Sequence, residues 1–151
     1  MKTKTSPRRS TKPSLSEPKV QRILATTDFS PCSEAGVRYA VDLARTFDAQ
    51  LLLLHVIEPT EAGWLIPTDD RKHRGKLRQV AEHKLAKLIH RTVPCEVRTR
   101  AYVRAGRAWQ TITEFALRTQ ADMIVLASHG RTGVKHVLLR SVPERDVHAR
   151  L

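Results

Sequence analysis

The sequence predicts an α/β fold built on an open, doubly wound parallel sheet. From Arg22 onward, short apolar runs alternate with longer segments of helical period, which is the pattern of βαβ units with right-handed crossovers. The runs Leu51–Val56 and Met123–Ala127 are almost continuously apolar, as in parallel strands that are covered on both faces. The length of 151 residues suits one domain with a real core.

The first βα unit has clear local signals. A strand over Ile23–Thr27 runs into Asp28-Phe29-Ser30-Pro31, where Ser30 can cap a helix and Pro31 suits its first turn. The helix that follows places apolar residues three and four apart on one face: Val37, Ala40, Val41, Ala44 and Phe47. Leu51–Val56 is then the second strand.

The second half repeats the alternation. A charged helix carries Leu77, Ala81, Leu85 and Leu88 and is stopped by Pro94. Cys95–Val103 alternates polar and apolar residues, as a strand nearer the edge does, and Gly106 opens a third helix. Met123–Ala127 is the fourth strand.

The charge of the chain is strongly basic and unevenly spread. There are 27 Lys and Arg against 15 Asp and Glu, a net charge of +12. Residues 1–21 hold six of the basic residues and one Glu, with three prolines and little to bury, so we predict a disordered basic tail there and a folded domain over 22–151. Such a tail either attracts nucleic acid or an acidic partner or is only a solubilising extension.

Several classes of protein are excluded by composition. The apolar runs are far shorter than the roughly 18 residues of a membrane span. The two cysteines are far apart and the histidines lack ligand spacing, so we expect neither a disulfide scaffold nor an intrinsic metal, and a cytoplasmic setting. No nucleophile-base-acid set is visible, and the glycine-rich loop lacks the G-K-[ST] ending of a phosphate-hydrolysing loop. An enzyme is therefore not expected.

Three loops meet where ligands bind in such sheets, beyond the carboxyl ends of the strands. They begin at Thr27, Val56 and Ala127. The last loop, Ala-Ser-His-Gly-Arg-Thr-Gly, can form an anion-binding nest of amides, and Ser141-Val-Pro-Glu is a capping box that predicts a helix start beside it. Both features are also common ways of ending a strand and starting a helix.

These segments together resemble the universal stress protein family. The resemblance is carried by Ile23–Ser30, by Leu51–Val56, by Ala121–Gly133 and by Leu138–Arg145, in that order along the chain. It implies a Rossmann-like fold of the adenine nucleotide alpha hydrolase type, with strand order 3-2-1-4-5. It also implies a cytoplasmic stress-response module, usually a homodimer, in which many members bind ATP, with Mg accompanying the nucleotide, and others do not. Members have at most weak ATP hydrolysis.

The resemblance also assigns site residues. The family's phosphate motif, G-x-x-G-x9-G-[ST], falls on Ala127, Gly130, Arg140 and Ser141, with Val142 following. Asp28 matches the acidic residue that faces the nucleoside, Thr27 flanks it, and Val56 matches the backbone contact to adenine. Each residue also has a simpler reading, since Asp28 can bond its own turn, Ser141 can be only a helix cap and Val56 only core.

Two departures from the family leave alternatives open. Arg140 stands where a glycine would let the backbone approach a phosphate; it either strains that turn or pairs with phosphate through its guanidinium. The chain also ends without the family's fifth strand, so we predict the order 3-2-1-4 and an exposed edge at Met123–Ala127 that invites homo-oligomers. The alternative to a nucleotide-binding regulator is a family member that acts through interactions, by its sheet edge or by nucleic acid on its tail.

Overall fold

A computed structural model describes residues 19–59, 71–129 and 135–141, and the backbone alone for 71–73, 128–129 and 135–141. Along the chain the elements are β1 (Arg22–Thr26), α1 (Pro31–Phe47), β2 (Gln50–Ile57), α2 (Arg71–Thr92), β3 (Thr99–Ala105), α3 (Ala108–Thr119), β4 (Met123–His129) and β5 (Lys135–Ser141). This confirms the predicted βα alternation. The predicted tail lies outside the described residues up to residue 18.

The strands form one sheet in the order β3-β2-β1-β4-β5. β1 to β4 are mutually parallel, with Leu24 level with Leu52 on one side and with Ile124 on the other. The parallel part therefore has the predicted order 3-2-1-4. β5 is antiparallel to β4.

β5 corrects the prediction that β4 would be a bare edge. Residues 135–141 pair along the whole of β4, from His129 opposite Lys135 to Met123 opposite Ser141. An apolar strand with unpaired amides and carbonyls is a costly edge, and a returning antiparallel segment satisfies those groups. β4 is thus covered by the chain itself and not by the family's parallel fifth strand, and β5 becomes the outer strand on this side.

Alternate residues of the strands feed two cores, one on each face of the sheet. On the face covered by α1 and α2, the core includes Ile23, Ala25, Leu51, Leu53, Val125, Val37, Val41, Leu85 and Leu88. On the face covered by α3, it includes Leu24, Leu52, Leu54, Ile124, Phe115 and Ala116. Burial on both faces explains the unbroken apolar runs of β1 and β2.

The ends of the elements mostly follow their predicted signals. Ser30 caps α1, since its hydroxyl accepts a hydrogen bond from the Ser33 amide at 3.2 Å. β3 begins four residues later than predicted, because Pro94 and Val97 close a turn before it (Val97 N to Pro94 O, 3.1 Å). Gly106 adopts a φ of 149° that side chains rarely take, and its amide donates to the Ile57 carbonyl at 3.1 Å.

Candidate functional site

The candidate site lies beyond the carboxyl ends of β1, β2 and β4. β1 is the central strand from which the sheet extends in both directions, so the crevice beside it is the topological switch point where ligands bind in open α/β sheets. Thr26 is level with Leu54 of β2, and the Thr27 amide donates to the Leu54 carbonyl at 3.0 Å. Asp28 and Val56 each lie two residues beyond the paired Thr26 and Leu54.

The β1–α1 turn is held by a network of buried hydroxyls. Thr27 and Ser33 are each about 95% buried, and their hydroxyl oxygens lie 3.0 Å apart. The Thr27 oxygen accepts a hydrogen bond from the Phe29 amide at 3.0 Å, and the Ser33 hydroxyl donates to the Ser30 carbonyl at 3.0 Å. These bonds fix the path of the backbone from the sheet into the first turn of α1, so the turn is formed before any ligand arrives.

Asp28 presents an ionised carboxylate at this turn. Its Oδ1 accepts a hydrogen bond from the Ser30 amide at 2.9 Å, which is the Asx turn that the simpler reading predicted. Partial burial by itself would raise the pKa of Asp28, but hydrogen bonds from Ser30 and Ser33 oppose it and lower the pKa to about 2. The side chain remains exposed, and a carboxylate so placed can accept hydrogen bonds from hydroxyls such as those of a ribose.

His55 is a site residue that the sequence analysis did not single out. Its Nδ1 lies 2.8 Å from the Thr27 carbonyl oxygen, and since a carbonyl only accepts, Nδ1 carries the proton in that bond. The His55 ring lies 4.4 Å from that of Phe29, centroid to centroid, and the Lys84 ammonium lies 5.4 Å from the Phe29 ring. Phe29 itself has a φ of 67°, an uncommon left-handed conformation for a bulky residue.

The carboxyl end of β4 packs tightly on α1 through Gly36. A Cβ placed on Gly36 would lie 2.9 Å from the Ala127 Cβ, closer than such atoms approach. The Ala127 methyl is therefore directed at α1, and the missing side chain of Gly36 makes the room for it. Replacing the family's first glycine by Ala127 thus fits the packing of the crevice wall.

The neighbouring β2–α3 corner completes the crevice. Val56 is half-buried and packs against the core on the α3 face, in agreement with its simpler reading as a core residue. Glu58 follows it and accepts a hydrogen bond from the Ala108 amide at 2.8 Å, which places its carboxylate at the start of α3. The N-cap residue of α3, Arg107, makes no side-chain cap hydrogen bond, and Glu58, just after β2, supplies that cap instead.

Two of the predicted phosphate residues, Arg140 and Ser141, are not brought to this crevice in the structure. Arg140 pairs with Ile124 and Ser141 with Met123, at the amino end of β4. Ser141 is four residues from the level of Ala127, about 13 Å at the usual rise of a strand. The structure therefore places Ser141 away from the crevice, and the helix predicted to start there falls outside the described residues. Gly130 and Val142 lie outside the described residues.

The described segments contain no group of three or more His, Cys, Asp or Glu side chains arranged to hold a metal ion. Their helices also include none with the length and apolar character that crossing a membrane requires.

Comparison with known proteins gives one consistent family. A sequence model of the universal stress protein family matches residues 19–149. Universal stress protein MJ0531 of Methanocaldococcus jannaschii is 30% identical over 134 residues, covering 84% of this chain and 75% of the relative. The solved structure of MJ0577, from the same organism, is 24% identical with a TM-score of 0.65, covering 80% of this chain and 83% of that one. A universal stress protein solved in complex with cAMP gives a TM-score of 0.51 at 16% identity, covering 72% of each chain.

Proposed function

Because the chain belongs to the universal stress protein family, we propose that it is a regulatory or protective module of the stress response whose crevice binds an adenine nucleotide. ATP, accompanied by Mg, is the nucleotide that we expect. A family member with this fold has been solved in complex with cAMP, which supports an adenine nucleotide as the class of ligand. We expect the module to act in the cytoplasm.

The observation that carries the proposal is the preformed turn at the switch point. Thr27 and Ser33 fix the backbone through buried hydroxyls, and Asp28 stands ionised just beyond the carboxyl end of β1, with Val56 near the same end of the adjacent β2. A carboxylate next to an apolar wall suits a nucleoside, with Asp28 accepting from the ribose hydroxyls and the backbone of Val56 facing the base. Ala127 closes the crevice on the β4 side.

The phosphates would extend toward Gly130, with Arg140, Ser141 and Val142 as the remaining proposed ligands. Arg140 and Ser141 can serve only if β5 leaves β4, because their present register places them at the other end of that strand. Binding through Ser141 therefore predicts faster hydrogen exchange of the β5 amides with ATP present. Binding through the crevice alone predicts no change there.

We propose binding, not turnover, as the output. A carboxylate whose pKa is about 2 is a poor general base near neutral pH, so Asp28 is suited to hold a hydroxyl and not to activate water. ATP hydrolysis is expected to be weak at most.

Calorimetric titration of ATP with Mg into three variants tests the proposal. Asp28→Ala should weaken binding by about tenfold or more, since a hydrogen bond to a charged group is lost. Asp42→Ala is the matched control, because Asp42 is an exposed carboxylate on α1 outside the crevice, and it should bind as the wild type does. Arg140→Gly should bind more tightly only if Arg140 obstructs a phosphate. Wild-type affinity in Asp28→Ala would contradict the proposal.

A second candidate is a family member that acts through interactions and binds no nucleotide. The placement of Arg140 and Ser141 on β5 favours it. In this case a homo-oligomer would form through the outer side of β5, because β5 covers β4, and residues 1–21 would attract nucleic acid or an acidic partner through charge. If residues 1–21 bind nucleic acid, the affinity should fall steeply as salt is added and vanish when these residues are deleted.

A further inference from the structure

β3 is the other outer strand of the described sheet, and it presents an open ladder of backbone groups. Arg98 and Gly106, both even-numbered, bond toward β2 (Leu51 N to Arg98 O, 2.9 Å; Gly106 N to Ile57 O, 3.1 Å). Backbone groups alternate in direction along a parallel strand, so the amides and carbonyls of the odd-numbered residues point away from β2. Those residues are Thr99, Ala101, Val103 and Ala105.

The two faces beside this edge differ in chemistry. On the α2 side, a groove of about 300 Å³ runs between α2 and β3. Leu85, Ile89 and Val103 give it an apolar floor. On the α3 side stand Arg100 and Arg104, both exposed. The Arg104 guanidinium lies 5.5 Å from the Phe115 ring, which shows which face it occupies.

The edge is poorly suited to a second copy of itself. Two β3 strands side by side would bring arginines of one copy against arginines of the other on the α3 face, and like charges opposite each other oppose pairing. On the α2 side, the charged groove residues Arg78 and Glu82 pair with each other at 2.8 Å, so the arginines of β3 carry the net charge beside this edge. The same charges attract an acidic chain.

We propose that β3 is a docking edge for an extended segment of a partner protein in which acidic and apolar residues alternate. The segment adds a strand to the sheet, bonding to the outward groups of Ala101 and Val103. Its apolar side chains enter the α2 groove, while its acidic side chains meet Arg100 and Arg104. At present the Val103 carbonyl accepts from the Arg104 guanidinium at 3.0 Å; the incoming amide replaces this bond and frees the guanidinium for a carboxylate.

The test uses a fluorescent eight-residue peptide in which glutamate alternates with valine, and its counterpart with lysine for glutamate. Binding is measured by anisotropy on the full chain, with and without ATP, because this inference does not depend on the nucleotide crevice. The glutamate peptide should bind and the lysine peptide should not. ATP should change the affinity less than twofold.

Two variants separate strand addition from simple attraction of charge. Ala101→Pro removes one outward amide without touching the bonds to β2, and should weaken binding about tenfold. The double variant Arg100→Glu, Arg104→Glu should weaken peptide binding by at least as much. The matched control, Arg38→Glu with Arg118→Glu, makes the same charge change at exposed positions of α1 and α3 and should have little effect. Circular dichroism of each variant confirms folding.

Two results would overturn the inference. One is equal binding of the glutamate peptide by Ala101→Pro and the wild type, both folded. The other is tighter binding of a 20-nucleotide single-stranded DNA than of the peptide, provided that this binding is lost when Arg100 and Arg104 are both changed to Glu and is unchanged in Ala101→Pro. The second outcome would identify the basic face as a nucleic-acid surface.

Discussion

Substituting Gly36 by Ala tests the close packing of α1 on β4 that forms one wall of the crevice. The added Cβ would lie 2.9 Å from the Ala127 Cβ and 3.7 Å from the Ala127 backbone nitrogen. Neither α1 nor the central sheet can give way without disturbing its neighbours, since Val37 and Val125 beside these positions are buried in the same core.

The expected magnitude combines two opposing effects. Ala in a helix interior is favoured over Gly by up to about 1 kcal/mol, while forcing an extra methyl into a packed contact costs about 1–3 kcal/mol. We therefore expect Gly36→Ala to lower the free energy of unfolding by about 1 kcal/mol. Gly75→Ala on α2 is the matched control, because a Cβ there meets nothing within 4 Å, and it should raise the free energy by up to about 1 kcal/mol.

Urea denaturation of four proteins measures the effect: wild type, Gly36→Ala, Ala127→Gly and the double variant. Removing the Ala127 methyl should relieve the clash, so the double variant should show a favourable coupling of about 1–2 kcal/mol relative to the sum of the single changes. If Gly36→Ala and Gly75→Ala stabilise the protein equally and the coupling is zero, the close approach of α1 and β4 is refuted.

Three further predictions concern the crevice and its supports. Ser33→Ala removes the hydroxyl that joins Thr27 to the α1 turn, and it should lower the free energy of unfolding in urea by about 1–3 kcal/mol. NMR titration should show the pKa of Asp28 rising toward its ordinary value. An unchanged stability and an unchanged pKa would contradict the hydrogen-bond network. The pKa of Asp28 is lower in the folded than in the unfolded chain, so ionised Asp28 stabilises the fold above about pH 3.8 and this stabilisation is lost as the pH falls toward 2. Because the carboxylate is exposed, the loss in the free energy of unfolding should stay under about 1 kcal/mol. Asp28→Asn should abolish this part of the acid dependence. Glu58→Ala leaves the Ala108 amide without its partner and should cost about 1 kcal/mol, whereas no cost would mean that α3 is capped in another way.

The sequence predicted what depends on local periodicity and on burial on both faces. β1, β2 and β4 were visible as apolar runs because α1, α2 and α3 cover both sides of the sheet, and the Ser30-Pro31 signal located the start of α1. The predicted start of β3 was four residues too early, because the alternation of polar and apolar residues does not distinguish the turn closed by Pro94 and Val97 from the strand that follows it.

Features that depend on contacts distant in the chain were not predictable in this way. β5 was missed because its pairing is decided by the open edge of β4 and not by its own residues. His55 appeared only as part of a strand, since its bond to the Thr27 carbonyl follows from register. Nothing in the sequence around Gly36 indicates why a glycine stands there; the reason is the Ala127 methyl on β4, which packs against this position of α1. In the candidate site, Asp28 and Val56 follow the carboxyl ends of two adjacent strands, as their order in the sequence predicted, whereas the register of β5 places Ser141 at the other end of β4.

The location of bound nucleotide tests the proposed crevice most directly. Proton–nitrogen correlation spectra of the labelled chain, recorded as ATP with Mg is added, report which backbone amides respond. We predict shifts concentrated on Thr27 to Ser33 and on His55 to Glu58, with little change at Arg98 or Asp122 at the amino end of the sheet. Shifts confined to the basic residues of α2 and β3, or no shifts at millimolar ATP, would contradict nucleotide binding at the crevice.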